Sequence, residues 1–137
     1  MMQIFFGRRG SGKTKVMIDL ANKNAKESTG NVVFVHSGGR CMLDLHHKVR
    51  YVNASEYHIV NPQQLYGFIC GLLAANYDIQ EIYLVGFTAL AGTEDVVQLA
   101  PALNNIELLS NQQNIKVYLT LSSNSDVVPE EFKKYVQ

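Results

Sequence analysis

Short apolar runs alternate with amphipathic stretches along most of the chain. Such runs are typical of buried β-strands, whereas apolar residues spaced three and four apart favour helices. Strands are predicted at residues 3–6, 31–36, 49–53, 81–85 and 115–121. Helices are predicted at residues 13–27, 62–77 and 93–111, and a short one begins at Pro129. Because apolar strands and intervening helices are typical of parallel sheets, we expect an α/β fold in three layers, α/β/α, with a mostly parallel sheet of about five strands.

Local signals predict where the helices begin and where they are interrupted. Asn61, which stands before a proline, predicts an N-cap with Pro in the first helical position. Thr93, followed by two acids, predicts the N-cap of the next helix. Pro101 predicts a break or restart within that helix. The four-residue spacing of Gly67 and Gly71 predicts close packing of their helix against a neighbour.

One segment carries a specific chemical motif. Residues 7–14, GRRGSGKT, match the pattern G-x-x-x-x-G-K-[ST], known as the P-loop or Walker A motif, between a predicted strand and a predicted helix. Glycines let the backbone approach an anion closely, and the loop N–H groups and helix N-terminus attract phosphate. We expect Lys13 to contact the β- and γ-phosphates and Thr14 to offer its hydroxyl to Mg²⁺. The predicted contact residues for ATP and Mg²⁺ are Gly7, Gly10, Ser11, Gly12, Lys13 and Thr14.

A carboxylate is missing where enzymes with this loop use one to hold the metal. Such enzymes place an Asp at the end of a second apolar strand, but here that strand ends in Val85 and Gly86. Neither residue can hold a metal through its side chain. Four loop acids are possible substitutes, although each is better explained as a helix cap or surface acid: Asp44, Glu94, Asp95 and Asp126. We therefore predict nucleotide binding with weak or absent hydrolysis, and assign no catalytic residue.

Other polar residues near the predicted ligand edge have two interpretations each. Ser122, at the end of the fifth strand, is expected to sense the γ-phosphate, with Asn124 as second choice, although a plain turn explains both equally well. Arg8 and Arg9 are interpreted as solvated charges at the loop tip in preference to phosphate or interface contacts. Arg40 suits either a phosphate or base contact or a surface salt bridge.

Three residues, Cys41, His46 and His47, lie close together but lack a fourth ligand at a known metal spacing. A buried cysteine beside surface histidines is the favoured interpretation. His36, at the end of the second strand, is interpreted as a satisfied core or edge histidine.

Composition narrows the function classes. The chain is 47% hydrophobic and 18% charged, which argues against disorder. Its 12 basic residues balance its 12 acidic residues, so nothing indicates a nucleic-acid-wrapping protein. Its two cysteines cannot make a disulfide scaffold. No apolar run approaches the ~20 residues of a membrane span or forms a signal peptide. We expect a cytoplasmic protein with one domain over residues 1–137.

Several segments together resemble a known family. They are QIFFGRRGSGKTKVMIDLAN, NVVFVHS, VRYVNASEY, LYGFICGLLAANYDI, EIYLVGF and KVYLTLS. This set resembles small phosphate-loop proteins of Firmicutes that are labelled ATP-binding or "twitching motility protein PilT"-like. The resemblance implies one RecA-like ATP-binding domain. Family members tend to carry an Asp near Val85, and this chain departs from them there.

Three functions stay open on the sequence alone. The first is a nucleotide-binding protein with little or no turnover. The second is an active ATPase or nucleoside-kinase-like enzyme with a substitute acid, with Arg8 or Arg9 completing a site in another subunit. The third is a non-enzymatic remnant that binds only phosphate. A protein partner or homo-oligomer is compatible with each of them.

Overall fold

Five strands form one sheet in the computed structural model, which describes residues 1–136. The strands are β1 (Met2–Arg8), β2 (Asn31–His36), β3 (Val49–Asn53), β4 (Ile79–Leu84) and β5 (Lys116–Ser123). Their spatial order is β1-β5-β4-β2-β3, and every neighbouring pair is parallel. The helices are α1 (Lys13–Glu27), α2 (Pro62–Ala75), α3 (Phe87–Ala91) and α4 (Val96–Gln112). The predicted α/β class and the five-stranded parallel sheet are therefore confirmed.

The two faces of the sheet carry separate apolar layers. Helix α1 covers one face, where Met17 and Ala21 pack against a cluster that includes Phe34 and Tyr83. Helices α2, α3 and α4 cover the other face with the larger cluster. Neighbouring residues of one strand point to opposite faces, so Val35 joins the larger cluster while Phe34 joins the α1 cluster. Both faces are covered, as the continuous apolar strands predicted.

Strand β5 lies between β1 and β4, although it comes last in the chain. Strand β1 pairs with β5 for two residues beyond the predicted end of β1 at residue 6, because Gly7 pairs with Ser122 and Arg8 with Ser123. The first two residues of the glycine-rich motif are thus fixed by the sheet. This pairing puts the end of β5 directly beside the start of the motif.

The region between β4 and β5 differs from the prediction. Helix α3 was not predicted, and the N-cap of α4 is Asp95, whose side chain accepts from the Val97 N–H. Thr93 instead accepts a hydrogen bond from the Asp95 N–H, so its predicted capping role is wrong. The predicted break at Pro101 is also wrong, since α4 continues through it. Pro101 lies on the exposed side of the second turn, where the only carbonyl deprived of an N–H donor is near solvent.

The predicted close packing at Gly67 and Gly71 is wrong as well. Both glycines lie on the exposed side of α2, and a Cβ atom at either position would meet open space. The predicted start of this helix is correct, because the Asn61 side chain accepts from the Gln64 N–H and Pro62 follows it. Over residues 1–136, no helix combines the length and apolar content needed to cross a membrane.

Two glycine substitutions are expected to change stability in opposite directions. Gly92 has φ +72°, and a Cβ there would collide with the Val60 carbonyl oxygen. Gly92→Ala is therefore expected to lower the free energy of unfolding by more than about 1 kcal/mol. Gly71→Ala is expected to raise it by about 0.5–1 kcal/mol, because alanine is the better residue within a helix. Urea unfolding of both variants checks this, and a loss of stability in Gly71→Ala would contradict the open environment of α2.

Candidate functional site

The loop formed by residues 7–14 lies at the edge of the sheet where the parallel strands end. Gly10 and Gly12 have φ values of +77° and +87°, a region that favours glycine. Gly12 is also the N-cap of α1, and no side chain caps this helix. The first N–H groups of α1 therefore remain available on the loop side, where the helix dipole is positive.

Lys13 reaches back into the loop that precedes it. Its Nζ donates to the Arg8 carbonyl at 2.6 Å, to the Gly7 carbonyl at 3.3 Å and to the Ser11 Oγ at 3.2 Å. Partial burial lowers the pKa of Lys13, and the nearby Arg9 cation lowers it further. The loop thus folds around its own ammonium group, which is held in place by backbone oxygens.

A cavity of about 330 Å³, here called the phosphate cavity, opens beside this loop. It brings four residues of the predicted motif together with Ser122 and with two residues that were not predicted. Its lining is Gly10, Gly12, Lys13, Thr14, Gly86, Thr120 and Ser122. Gly7 and Ser11 adjoin it through their contacts with Lys13. One end of β5 and the start of α1 therefore enclose the same space.

Thr120 is the residue of this cavity that the sequence analysis missed. It is buried, and its Oγ1 accepts a hydrogen bond from the Gly86 N–H at 2.8 Å. This bond ties the end of β4 to β5. The available signal was the two-residue period of a strand, since Thr120 lies two positions before Ser122 and so shares its face.

The position of the expected carboxylate is apolar. Val85 is 1% exposed and belongs to the cluster under α1, and its N–H donates to the Val35 carbonyl. Gly86 follows it in the cavity wall. No carboxylate lines the phosphate cavity within the described residues.

Three of the four loop acids are engaged elsewhere. Glu94 forms an ion pair with Arg9, and Asp126 forms one with Arg8 at 3.0 Å. Asp95 caps α4. Both arginines are thus ion-paired, and all four side chains remain at least 60% exposed, which agrees with their interpretation as solvated charges at the loop tip. Exposed pairs of this kind contribute about 0–1 kcal/mol each.

Asp44 has a different environment from the other three acids. It lines a cavity of about 450 Å³ between α1 and the β2–β3 connection, with Arg40 on the same side and Thr14 at one end. Asp44 therefore shares a cavity with Thr14, the predicted metal-binding residue. Arg40 makes no ion pair within residues 1–136.

Cys41 and the two neighbouring histidines have different contacts. Cys41 is buried, with its Sγ 3.5 Å from the His36 Nδ1, while the rings of His46 and His47 lie against each other in a tilted arrangement. Burial raises the pKa of the Cys41 thiol and lowers that of His36. Over the described part of the chain, no three His, Cys, Asp or Glu residues are grouped so as to hold a metal ion. The buried cysteine agrees with the favoured interpretation.

No protein-family model matches the chain, and no match is found among the curated proteins. The resemblance to PilT-like proteins therefore stays a prediction.

Thr120 offers a direct test of how the cavity wall is held. Thr120→Val removes the acceptor of the Gly86 N–H without much change in volume. The Gly86 N–H is part-buried in the cavity wall, so the expected loss in the free energy of unfolding by urea is about 0.5–1.5 kcal/mol, the net contribution of one hydrogen bond. Thr120→Ser keeps the hydroxyl and should retain most of the stability. Equal losses in the two variants would show that the methyl group, not the hydrogen bond, matters.

Proposed function

We propose that the chain binds a nucleoside triphosphate, ATP, with Mg²⁺, and places its phosphates in the phosphate cavity in the manner of RecA-like P-loop domains. One observation carries this proposal. The glycine-rich loop, the uncapped start of α1 and the Lys13 ammonium group all border one cavity. Backbone N–H groups, a positive helix end and an ammonium group together suit an anion of high charge.

The present contacts of Lys13 can be replaced by stronger contacts with phosphate, which supports the same proposal. Its ammonium group interacts with neutral carbonyl and hydroxyl oxygens, not with a carboxylate. Phosphate oxygens are stronger partners because both groups are charged. Binding would therefore replace weaker contacts with stronger ones without breaking an ion pair of Lys13.

Mg²⁺ fits this site only as a companion of the nucleotide. It prefers oxygen ligands and keeps several waters, often with one or two protein ligands beside substrate phosphates. Thr14 offers a hydroxyl at the cavity, and the cavity wall adds no carboxylate. Thr14 would therefore hold the ion together with phosphate oxygens and water, where the ion would neutralise phosphate charge.

Weak or absent hydrolysis follows from the same lining. Val85 and Gly86 offer no group that orients water or accepts its proton. Binding depends on the loop, whereas turnover depends on the missing acid, so the first can exist without the second. We propose a cytoplasmic nucleotide-responsive protein, acting through a protein partner or a homo-oligomer.

An active enzyme is the second candidate, and Asp44 is the observation that favours it. Asp44 lines a cavity that also contains Thr14. An ATPase or kinase would have to recruit this acid by moving the β2–β3 connection. A remnant that binds phosphate alone is the third candidate, and it predicts no preference for ATP over inorganic phosphate.

Substitution of Lys13 tests nucleotide binding directly. Lys13→Ala is expected to weaken Mg-ATP binding by about ten- to a hundredfold, since a charged hydrogen bond contributes roughly 1.5–3 kcal/mol. The matched control is Lys15→Ala, because Lys15 lies two residues along α1, is 81% exposed and pairs with Asp19. Calorimetric titration with ATP, ADP, GTP and inorganic phosphate measures this. Equal affinity for ATP and phosphate would favour the remnant.

Turnover is tested by slow phosphate release from Mg-ATP. We expect a rate no higher than that of Lys13→Ala, because no acid lines the cavity. Asp44→Asn and Glu94→Gln should leave that rate unchanged. A measurable rate that both Lys13→Ala and Asp44→Asn abolish would instead establish the enzyme with a substitute acid.

A further inference from the structure

A second cavity of about 310 Å³ lies on the other side of the sheet edge from α1, here called the side cavity. Ser122 belongs to the walls of both the side cavity and the phosphate cavity. The 7–14 loop also borders both, through Arg9 on one side and Gly10 on the other. A single molecule bound at the loop could therefore extend from one cavity into the other.

The floor of the side cavity is apolar and well packed. Leu99, Leu121 and Phe132 line it, and each is at most 2% exposed. Phe6 adds a second aromatic ring from β1. This floor comes from α4, β5, β1 and the 3₁₀ helix Glu130–Tyr135, so it is fixed by the core and not by a loose loop. Such a surface favours the apolar face of a ring.

The rim of the side cavity is polar but largely uncharged. Thr88 lies on one side, while Ser123 ends β5 and Asn124 follows it on the other. Asn124 is exposed and carries both a donor and an acceptor. The paired charges of Arg9 and Glu94 lie at the mouth. An apolar floor with a few hydrogen-bonding groups around it is typical of small-molecule sites, whose volumes begin near roughly 300 Å³.

The cavity beside Asp44 has a different character, although it too adjoins the 7–14 loop. Lys15, Asp19, Arg40 and Asp44 place four charged side chains in its wall. Such a wall favours ions and water over the face of an uncharged ring. Of the two cavities that adjoin the phosphate cavity, the side cavity is therefore the better match for a heterocyclic base.

We infer that the side cavity binds a nucleoside, with its planar base against the floor formed by Leu99, Leu121 and Phe132. This inference rests on the proposed function, because it assigns the part of the ligand that the phosphate cavity does not hold. The nucleoside is either that of the nucleotide bound through Lys13 or a separate second molecule. Asn124 and Thr88 read the polar edge of the base, and Arg9 lies where a guanidinium can stack on it.

The test separates the base from the phosphates. Val96 is half-buried at the start of α4 and lines the side cavity, so Val96→Phe fills part of that space. Val97→Phe is the matched control, because Val97 is 77% exposed and lies outside the lining. Asn124→Ala is a second, exposed substitution in case Val96→Phe does not fold. Calorimetry measures the Kd of Mg-ATP and of inorganic tripolyphosphate for each variant and the parent.

We expect Val96→Phe to weaken ATP binding by about tenfold, through loss of apolar burial, and to leave tripolyphosphate within about twofold. Asn124→Ala should weaken ATP by about threefold, as expected for one hydrogen bond, with no effect on tripolyphosphate. Val97→Phe should change neither. If Val96→Phe and Asn124→Ala weaken both ligands equally, or neither ligand, the base of the bound nucleotide does not lie in the side cavity.

A second arm separates the two sources of the nucleoside. Adenosine is titrated into the protein saturated with tripolyphosphate. If Val96→Phe abolishes adenosine binding and leaves ATP affinity unchanged, the cavity binds a separate nucleoside. If Val96→Phe lowers only the affinity for ATP, the cavity binds the base of the bound nucleotide. If neither occurs, the inference is overturned.

Failure of the proposed function gives a different result. If the parent binds neither ATP nor tripolyphosphate, or if Lys13→Ala binds both as well as the parent does, the phosphate cavity is wrongly assigned. Adenosine is then titrated alone. If it does not bind, or if Val96→Phe does not weaken its binding, the side cavity is wrongly assigned as well.

Discussion

All five strands run in the same direction, and this constraint decides what each edge of the sheet can do. At the carboxyl edge, β1 leads into the glycine-rich loop, β4 into Gly86, and β5 ends at Ser122. At the opposite edge, polar side chains form hydrogen bonds with one another. There Asn24 donates to the buried Glu81 carboxylate and to the Tyr83 hydroxyl, which itself donates to Glu81. Burial and the Glu81 contact raise the pKa of Tyr83, whereas the hydrogen bond from Asn24 lowers it. The glycine-rich loop, Gly86 and Ser122 therefore share one edge of the sheet.

Much of this fold could be predicted from local patterns. The bounds of β2 and β3 and the start of α2 agree with the structure, because apolar runs and the Asn-Pro cap are local signals. The position of β5 between β1 and β4 has no such signal, since strand order depends on packing across the whole chain. Pro101 shows the limit of the rule that proline breaks a helix. The destabilisation that a proline causes depends on which carbonyl loses its N–H donor and on how close that carbonyl is to solvent.

The candidate site likewise has parts that the sequence could predict and parts that it could not. The 7–14 loop is contiguous in sequence, so its motif could be recognised without the fold. The pairs Arg8–Asp126 and Arg9–Glu94 join residues 118 and 85 positions apart, and no local pattern could have indicated them. Thr120 was missed although the strand period pointed to it, because a buried threonine within an apolar run resembles an ordinary core residue. Whether a polar residue of β5 lines the phosphate cavity depends on which strands end beside it, and the strand order sets this.

In the proposed function, phosphate binding and phosphate chemistry have separate physical sources. Binding would depend on backbone dipoles whose directions are fixed by the conformations of Gly10 and Gly12, and on Lys13 at the start of α1. Chemistry needs a carboxylate at the end of β4, where Val85 is instead packed under α1. A valine at this position adds apolar packing and avoids the desolvation cost that a buried carboxylate would carry. Val85 thus stabilises the core at the position where the proposed site would need a charge for catalysis, whereas the proposed anion contacts depend on the glycine-rich loop and the start of α1.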